Sequence, residues 1–300
     1  MKSLLGGEAG SLAVVPTDKA YEPKRNPVVR ILKSFLASAQ SVLPNAIYES
    51  VYEVSFRSYK ALLRLLYSRH LVSDTLFATR GDLTRTKLVH SVMPYSLVGS
   101  SGLEATYDAA TDVIAQGVPG DFIECGVAQG GCSALMALVA KMDPRGRRMW
   151  LFDSFQGLPD PTEKDFDAGK QLTGGHIRPL VRGSCLGTRS MVESVLFSRF
   201  ELSRDSVFLI EGWFQDTLPL YKDRVGQIAV LRIDGDWYDS TLCCLKNLYG
   251  KVSPGGWVII DDYGVCFGCK KAVHEFLDGI GITPKLIPDG RGGVLFCKAS

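Results

Sequence analysis

The chain has 300 residues, of which 46% are hydrophobic, and a formal net charge of +2 at pH 7. This composition predicts one or two globular domains, and the small charge argues against a nucleic-acid-binding protein, because such proteins usually carry a marked basic excess. No apolar stretch reaches the roughly 18 to 20 residues that span a bilayer. Eight cysteines, mostly within apolar runs, and an N-terminus unlike a signal peptide favour a reducing, cytoplasmic location.

The N-terminal part of the chain divides into two predicted segments. Residues 1–27 contain Gly, Pro and mixed charges without an apolar period, which predicts a mobile leader. In residues 28–90 apolar residues such as Ile47, Val51 and Val54 recur at helical spacing between basic residues. We expect a helical extension that packs on the body or on a second subunit; a basic helix lying on a membrane surface is the alternative.

Residues 91–300 contain short apolar runs that end in acids or glycine and alternate with helical stretches at about 133–141, 191–200, 240–250 and 270–279. Uniformly apolar runs are typical of strands covered by helices on both faces. The pattern therefore predicts an α/β fold with a doubly wound, mostly parallel seven-stranded sheet. Its strands are expected in the runs DFIECG, RRMWLFDSF, SVFLIEG, QIAVLRIDG, GWVIIDD, PKLIPDG and GGVLFCK, with a loop over the site at GKQLTGGHIR.

The first two predicted strands end in acids that suit an adenosine-like ligand. Glu124 precedes Gly126 and Gly130, but the spacing is not the dinucleotide-binding G-x-G-x-x-G pattern. Asp153 ends the second strand, where an acid commonly binds a ribose diol. The alternative is that Asp153 or Ser154 caps a following helix.

Two later strands end in pairs of acids: Asp234 and Asp236, then Asp261 and Asp262. Like charges brought together cost free energy unless a cation or a proton offsets them. Helix caps or strand-end turns are the alternative interpretation, with Asp239 the expected cap of the next helix.

Five motifs in this order resemble the macrocin O-methyltransferase family of class I S-adenosylmethionine enzymes: ECGVAQGG, LFDSFQGLPDP, EGWFQDTLP, LRIDGDWYDST and GGWVIIDDYG. The resemblance covers about residues 90 to 298. It implies a Rossmann-like enzyme that transfers a methyl group from S-adenosylmethionine to a sugar hydroxyl of a natural product, with a divalent cation, usually Mg²⁺. It also implies a small-molecule glycoside as substrate and, by family habit, a homo-oligomer.

The resemblance further implies roles for individual residues. The methionine half of the cofactor would lie near Glu124, Gly126 and Gly130, and the ribose near Asp153 and Ser154. Trp213 would lie beside the adenine, although a core aromatic is an equally good interpretation of that residue. The metal ligands would be Asp234, Asp261 and Asp262, and Asp236 would be the general base.

Two other functions fit part of the sequence. Asp234-Gly-Asp236 matches the D-x-D metal motif of nucleotide-sugar glycosyltransferases, and a catalytically silent fold could serve as a binding module.

Cys266 and Cys269 form a C-x-x-C pair, but no second pair stands at zinc-finger distance. Related enzymes that methylate catechols commonly have Asp-Asn where this chain has Asp261-Asp262, which favours a sugar hydroxyl over a phenol.

Overall fold

The computed structural model describes residues 31, 34–36, 38–39, 42–171 and 180–299. The predicted leader, residues 1–27, lies outside the described residues. So does most of the GKQLTGGHIR segment, including His176. The expectations for both segments stay predictions.

Helices and strands alternate through the body of the chain. The helices are α1 (Asn45–Phe77), α2 (Arg80–Val92), α3 (Ser100–Ala115), α4 (Gly131–Ala140), α5 (Arg189–Glu193), α6 (Phe214–Tyr221), α7 (Tyr238–Leu248) and α8 (Phe267–Gly279). The strands are β1 (Asp121–Cys125), β2 (Met149–Asp153), β3 (Phe166–Asp167), β4 (Lys170–Gln171), β5 (Val207–Glu211), β6 (Ile228–Ile233), β7 (Val252–Ile260), β8 (Ile287–Pro288) and β9 (Val294–Cys297). A π-helical segment, Ser194–Arg199, continues α5.

Seven of these strands form one sheet in the order β5-β2-β1-β6-β7-β9-β8. The first five are parallel, and β9 runs antiparallel to both of its neighbours. All seven predicted apolar runs supply its strands, so the predicted doubly wound, mostly parallel fold is confirmed. The chain order reverses between β1 and β6, and ligands of such sheets bind outside the carboxyl ends of the strands at this switch point.

Apolar side chains fill both faces of the sheet. Every residue of β1 and β6 is buried. Successive strand residues point to opposite faces, so Phe122 joins the apolar cluster under α3 and α4, and Ile123 joins the one under α7 and α8. The core thus fixes the strands on which the acids stand.

The N-terminal helices pack against this body. Tyr67 of α1 and Val89 and Val92 of α2 are buried in the same apolar cluster as residues of the sheet. Other apolar side chains of α1, such as Leu65 and Val72, are exposed. The domain boundary at residue 90 and the homo-oligomer stay predictions. No helix within the described ranges combines the length and apolarity that crossing a membrane requires.

A buried ion pair lies between α4 and β2. Arg147 Nε is 2.5 Å from Asp143 Oδ2, and Arg147 Nη2 donates to the carbonyl oxygen of Val118 at 2.6 Å. The Asp143 side chain has 0% exposure. Hydrogen bonds from Arg145, and then from Arg147, hold the pKa of Asp143 well below its usual range despite burial.

We predict that Asp143→Asn lowers the free energy of unfolding at pH 7 by about 3 kcal/mol, because it leaves Arg147 buried without its carboxylate. A carboxyl whose pKa is depressed by folding stabilises the protein above its unfolded pKa, about 3.9, and loses this effect as the pH falls. The difference between wild type and variant, measured by urea denaturation from pH 7 to pH 3.5, should therefore shrink below about pH 4. Asp223→Asn is the control, since Asp223 is 85% exposed. Equal unfolding of the two variants would contradict the prediction.

Candidate functional site

The ends of β1, β6 and β7 lie side by side and carry acids. Glu124 lies beside Arg232 across the β1–β6 pair, and Ile233 lies beside Ile260 across β6–β7. Pairing continues past the strand ends, because the Asp234 N–H donates to the Cys125 carbonyl at 2.8 Å and the Asp261 N–H donates to the Ile233 carbonyl at 3.0 Å. The acids are therefore held by the sheet itself.

A buried guanidinium, that of Arg232, sits among these acids. Its Nη1 donates to Glu124 Oε1 at 3.1 Å and to Asp234 Oδ2 at 2.8 Å, and its Nη2 donates to Asp261 Oδ1 at 2.5 Å. Arg232 is 0% exposed, so these carboxylates compensate its charge. Sequence reasoning missed Arg232, although a charged residue between Leu231 and Ile233 in an apolar run is a signal that buried counter-ions must be present.

A second arginine holds the same acid from the other side. Arg291, between β8 and β9, donates from Nη1 to Asp261 Oδ2 and from its backbone N–H to Asp289 Oδ1 at 2.7 Å. Each oxygen of Asp261 thus accepts from a different guanidinium. Sequence reasoning missed Arg291 as well, because the stretch DGRGG reads only as a turn.

Asp236 and Asp262 form the second part of the acid cluster. The Asp236 N–H donates to Asp262 Oδ2 at 3.1 Å, and Cys266 Sγ lies 3.9 Å from Asp236 Oδ1. Burial raises the pKa of Asp236 well above its usual value, with further increases from Asp234 and Asp261. Burial, followed by the charge of Asp236, also raises the pKa of Asp262 well above its usual value.

The helix-cap interpretation of these acids is wrong. The residues preceding α7 and α8 are Trp237 and Cys266, and neither makes a side-chain cap. Asp165 Oδ1 accepts the Tyr238 N–H at the start of α7 at 2.7 Å, whereas Asp239 pairs with Lys164 at 3.3 Å. The predicted cap at Asp239 is therefore also wrong.

The acid cluster fits a hard divalent cation. One oxygen from each of Asp234, Asp261 and Asp262 lies within 4.8 Å of the other two, and oxygens bound to Mg²⁺ at about 2.0–2.1 Å lie about 3 to 4.2 Å apart. The five carboxyl groups of the cluster, including Glu124, face two guanidinium groups. When all are ionised, an excess of negative charge is left for a cation. Asp236, Asp262 and Cys266 form a second, overlapping group of donors.

The glycine turn after β1 packs directly on this cluster. Gly126 has φ +92°, and a Cβ there would clash with the carbonyl oxygen of Asp234. Gly130, with φ +85°, precedes the first residue of α4. Glycine is needed at both positions, since other residues rarely adopt this backbone conformation. The turn and the acids therefore form one unit.

Asp153 at the end of β2 holds this turn. Its Oδ2 accepts the N–H groups of Val127 at 2.6 Å and Ala128 at 3.2 Å, and its Oδ1 accepts the Phe155 N–H at 2.6 Å. Ser154 Oγ donates to the Gly157 carbonyl at 3.2 Å. No helix follows directly, so the cap interpretation of Asp153 and Ser154 is wrong.

Glu124 and Trp213 differ in their surroundings. Glu124 is buried, with Oε1 facing Arg232 and Oε2 accepting the Ser133 hydroxyl; burial raises its pKa to about 7, opposed by the Arg232 charge. Trp213 follows β5 and is half-buried. The roles in cofactor binding of Glu124, Gly126, Gly130, Asp153, Ser154 and Trp213 stay predictions.

Comparison with known proteins identifies relatives over most of the chain. The family described as macrocin O-methyltransferase (TylF) matches residues 32–298, which extends the resemblance into the N-terminal helices. Demethyldecarbamoylnovobiocin O-methyltransferase of Streptomyces niveus is 40% identical over 201 residues, which cover 67% of this chain and 74% of that protein. The 8-demethyl-8-(2,3-dimethoxy-α-L-rhamnosyl)-tetracenomycin-C 4′-O-methyltransferase of Streptomyces olivaceus is 36% identical over 66% of this chain and 74% of that protein.

A solved structure has the same architecture. The O-methyltransferase NovP is 34% identical, with a TM-score of 0.61 over 80% of this chain and 100% of NovP. The family match and these relatives decide against the glycosyltransferase interpretation. The chain belongs to the macrocin O-methyltransferase family of S-adenosylmethionine-dependent O-methyltransferases.

Proposed function

We propose that this enzyme methylates a sugar hydroxyl of a natural-product glycoside and that a divalent cation, usually Mg²⁺, is required. The observation that carries the proposal is the group of oxygens from Asp234, Asp261 and Asp262 with the buried Asp236 beside it. The acceptor class is supported by the name of the Streptomyces olivaceus relative, which specifies a rhamnosyl group and a 4′-O position.

In this proposal Asp234, Asp261 and Asp262 hold the cation. A divalent cation bound there would make a coordinated alcohol more acidic. Arg232 and Arg291 fix the orientation of Asp261 through both of its oxygens. They also reduce the repulsion among the acids, so that the ligand geometry exists before any ion binds.

Asp236 is the proposed general base. Its carboxylate would accept the proton of the acceptor hydroxyl as the oxygen attacks the methyl group, which the sulfonium of S-adenosylmethionine supplies. The backbone bond to Asp262 and the Cys266 thiol hold Asp236 in place. A cation bound beside Asp236 would favour its ionised form, which a general base needs.

The glycine turn is the proposed binding place of the methionine half of the cofactor. Gly126 and Gly130 allow a ligand to approach the backbone closely. Glu124 would contribute to this site indirectly through Arg232, because its Oε1 already accepts a hydrogen bond from that guanidinium. The Asp153 carboxylate accepts three backbone N–H groups, two at Oδ2 and one at Oδ1. One lone pair of Oδ1 therefore remains for a ribose hydroxyl. Trp213 would lie against the adenine.

Asp236→Asn should lower turnover by about 100-fold or more, since general-base catalysis contributes typically 10²–10⁴-fold. The variant should bind S-adenosylhomocysteine and Mg²⁺ as the wild type does, because the amide keeps the shape of the side chain. Turnover would be measured with methyl-labelled S-adenosylmethionine against a panel of glycosides, and binding by calorimetry. The matched control is Asp239→Asn three residues on, where the carboxylate is 56% exposed. Unaltered turnover of Asp236→Asn would overturn its role as base.

Asp262→Asn should raise the Mg²⁺ concentration needed for half-maximal activity by about tenfold or more, because an amide oxygen is a weaker ligand than a carboxylate. The amide oxygen can still accept the Asp236 N–H, so the fold should be kept. Mg²⁺ titrations of chelator-treated enzyme, with Mn²⁺ binding followed by electron paramagnetic resonance, would measure the effect. Full activity of wild type and variant in excess chelator would contradict the metal proposal.

A further inference from the structure

Helix α1 lies against the edge of the sheet that carries the acids. Lys60 Nζ donates to Gln129 Oε1 at 3.0 Å, and Gln129 belongs to the glycine turn between Gly126 and Gly130. Helix α1 thus reaches the glycine turn through Lys60.

Lys60 is a half-buried ammonium that has no acidic partner within the part of the chain that the structure describes. Its side-chain hydrogen bond goes to the neutral amide of Gln129. Burial lowers the pKa of Lys60 to about 8, so the ammonium form still prevails at pH 7. Because a buried charge without a counter-ion is costly, this position favours an anion.

Four other described cations near the ends of the strands are paired with carboxylates. They are Arg232 with Glu124, Asp234 and Asp261; Arg291 with Asp261; Arg189 with Glu193 and Glu211; and Lys164 with Asp239. The ammonium of Lys60 has three donors, of which Gln129 takes one. Two donors at the glycine turn are left for an anionic ligand.

We propose that Lys60 binds the α-carboxylate of S-adenosylmethionine, with Gln129 holding its ammonium toward the glycine turn. The inference rests on the proposed binding of the methionine half at that turn. The carboxylate is the anionic group of the cofactor, and a charge-assisted hydrogen bond to an ammonium satisfies both groups. Helix α1, which lies outside the strand-end motifs, then supplies part of the cofactor site.

The test compares two ligands that differ only in the carboxylate. Calorimetry would measure the binding of S-adenosylhomocysteine and of its decarboxylated analogue, S-adenosyl-3-thiopropylamine, to wild type and to Lys60→Met. The Kd of S-adenosylhomocysteine should rise roughly 10- to 100-fold in the variant, the range for loss of a hydrogen bond to a charged group. The Kd of the analogue should change less than about twofold.

Three controls define the result. Lys60→Arg should keep most of the preference for the carboxylate, because the charge remains. Lys60→Gln replaces Lys60→Met as the test variant if Lys60→Met does not fold. Folding is checked by circular dichroism and thermal unfolding. Arg57→Met, one turn away on α1 at an 81% exposed position, should leave the binding of both ligands unchanged.

The outcomes that overturn the proposal are distinct. An equal rise in the Kd of both ligands would mean that Lys60 only packs α1. Unchanged Kd values with a changed acceptor KM in the methyl-transfer assay would mean that Lys60 contacts the acceptor instead of the cofactor. If wild type binds neither ligand, the proposed cofactor site itself fails. If wild type prefers S-adenosylhomocysteine and Lys60→Met keeps that preference, only the role of Lys60 fails.

Discussion

The contact of the buried Arg232 guanidinium with three carboxylates is the interaction on which the site depends. Glu124, Asp234 and Asp261 stand on neighbouring strands of one sheet edge, at distances where their mutual repulsion would otherwise be large. One cation in the middle makes their convergence tolerable, and the proposed divalent cation would offset the repulsion of the remaining acids, including Asp236 and Asp262.

The close contact between the glycine turn and the end of β6 joins two parts of the site. No side chain fits between Gly126 and the Asp234 carbonyl, and Asp153 fixes the turn through the amides of Val127 and Ala128. The turn proposed for the cofactor and the acids proposed for the cation are thus parts of one rigid framework. Methyl transfer needs this, because its rate depends on how well the reacting atoms are held in line.

The sheet was predictable because its strands carry a local signal. Seven uniformly apolar runs became seven strands, and the acids that end these runs lie at the carboxyl edge as expected. The four helices predicted in the body have ends within a few residues of the prediction, although α5 continues as a π-helical segment, whereas α3 and α6 were not predicted. The cap predicted at Asp239 was wrong, as was the alternative interpretation of Asp153 and the paired acids as caps, because a cap depends on the detailed path of the backbone rather than on residue type alone.

The sequence by itself determined which residues end the buried strands and which faces of the helices are apolar, because these properties depend on spacings of a few residues. Tertiary structure decided which side chains meet. Arg232 touches an acid 108 positions away, Arg291 reaches Asp261 from a turn with no distinctive pattern, and Lys60 meets Gln129 across 69 positions. Such contacts depend on strand order, register and the docking of α1, and no short stretch of sequence encodes those.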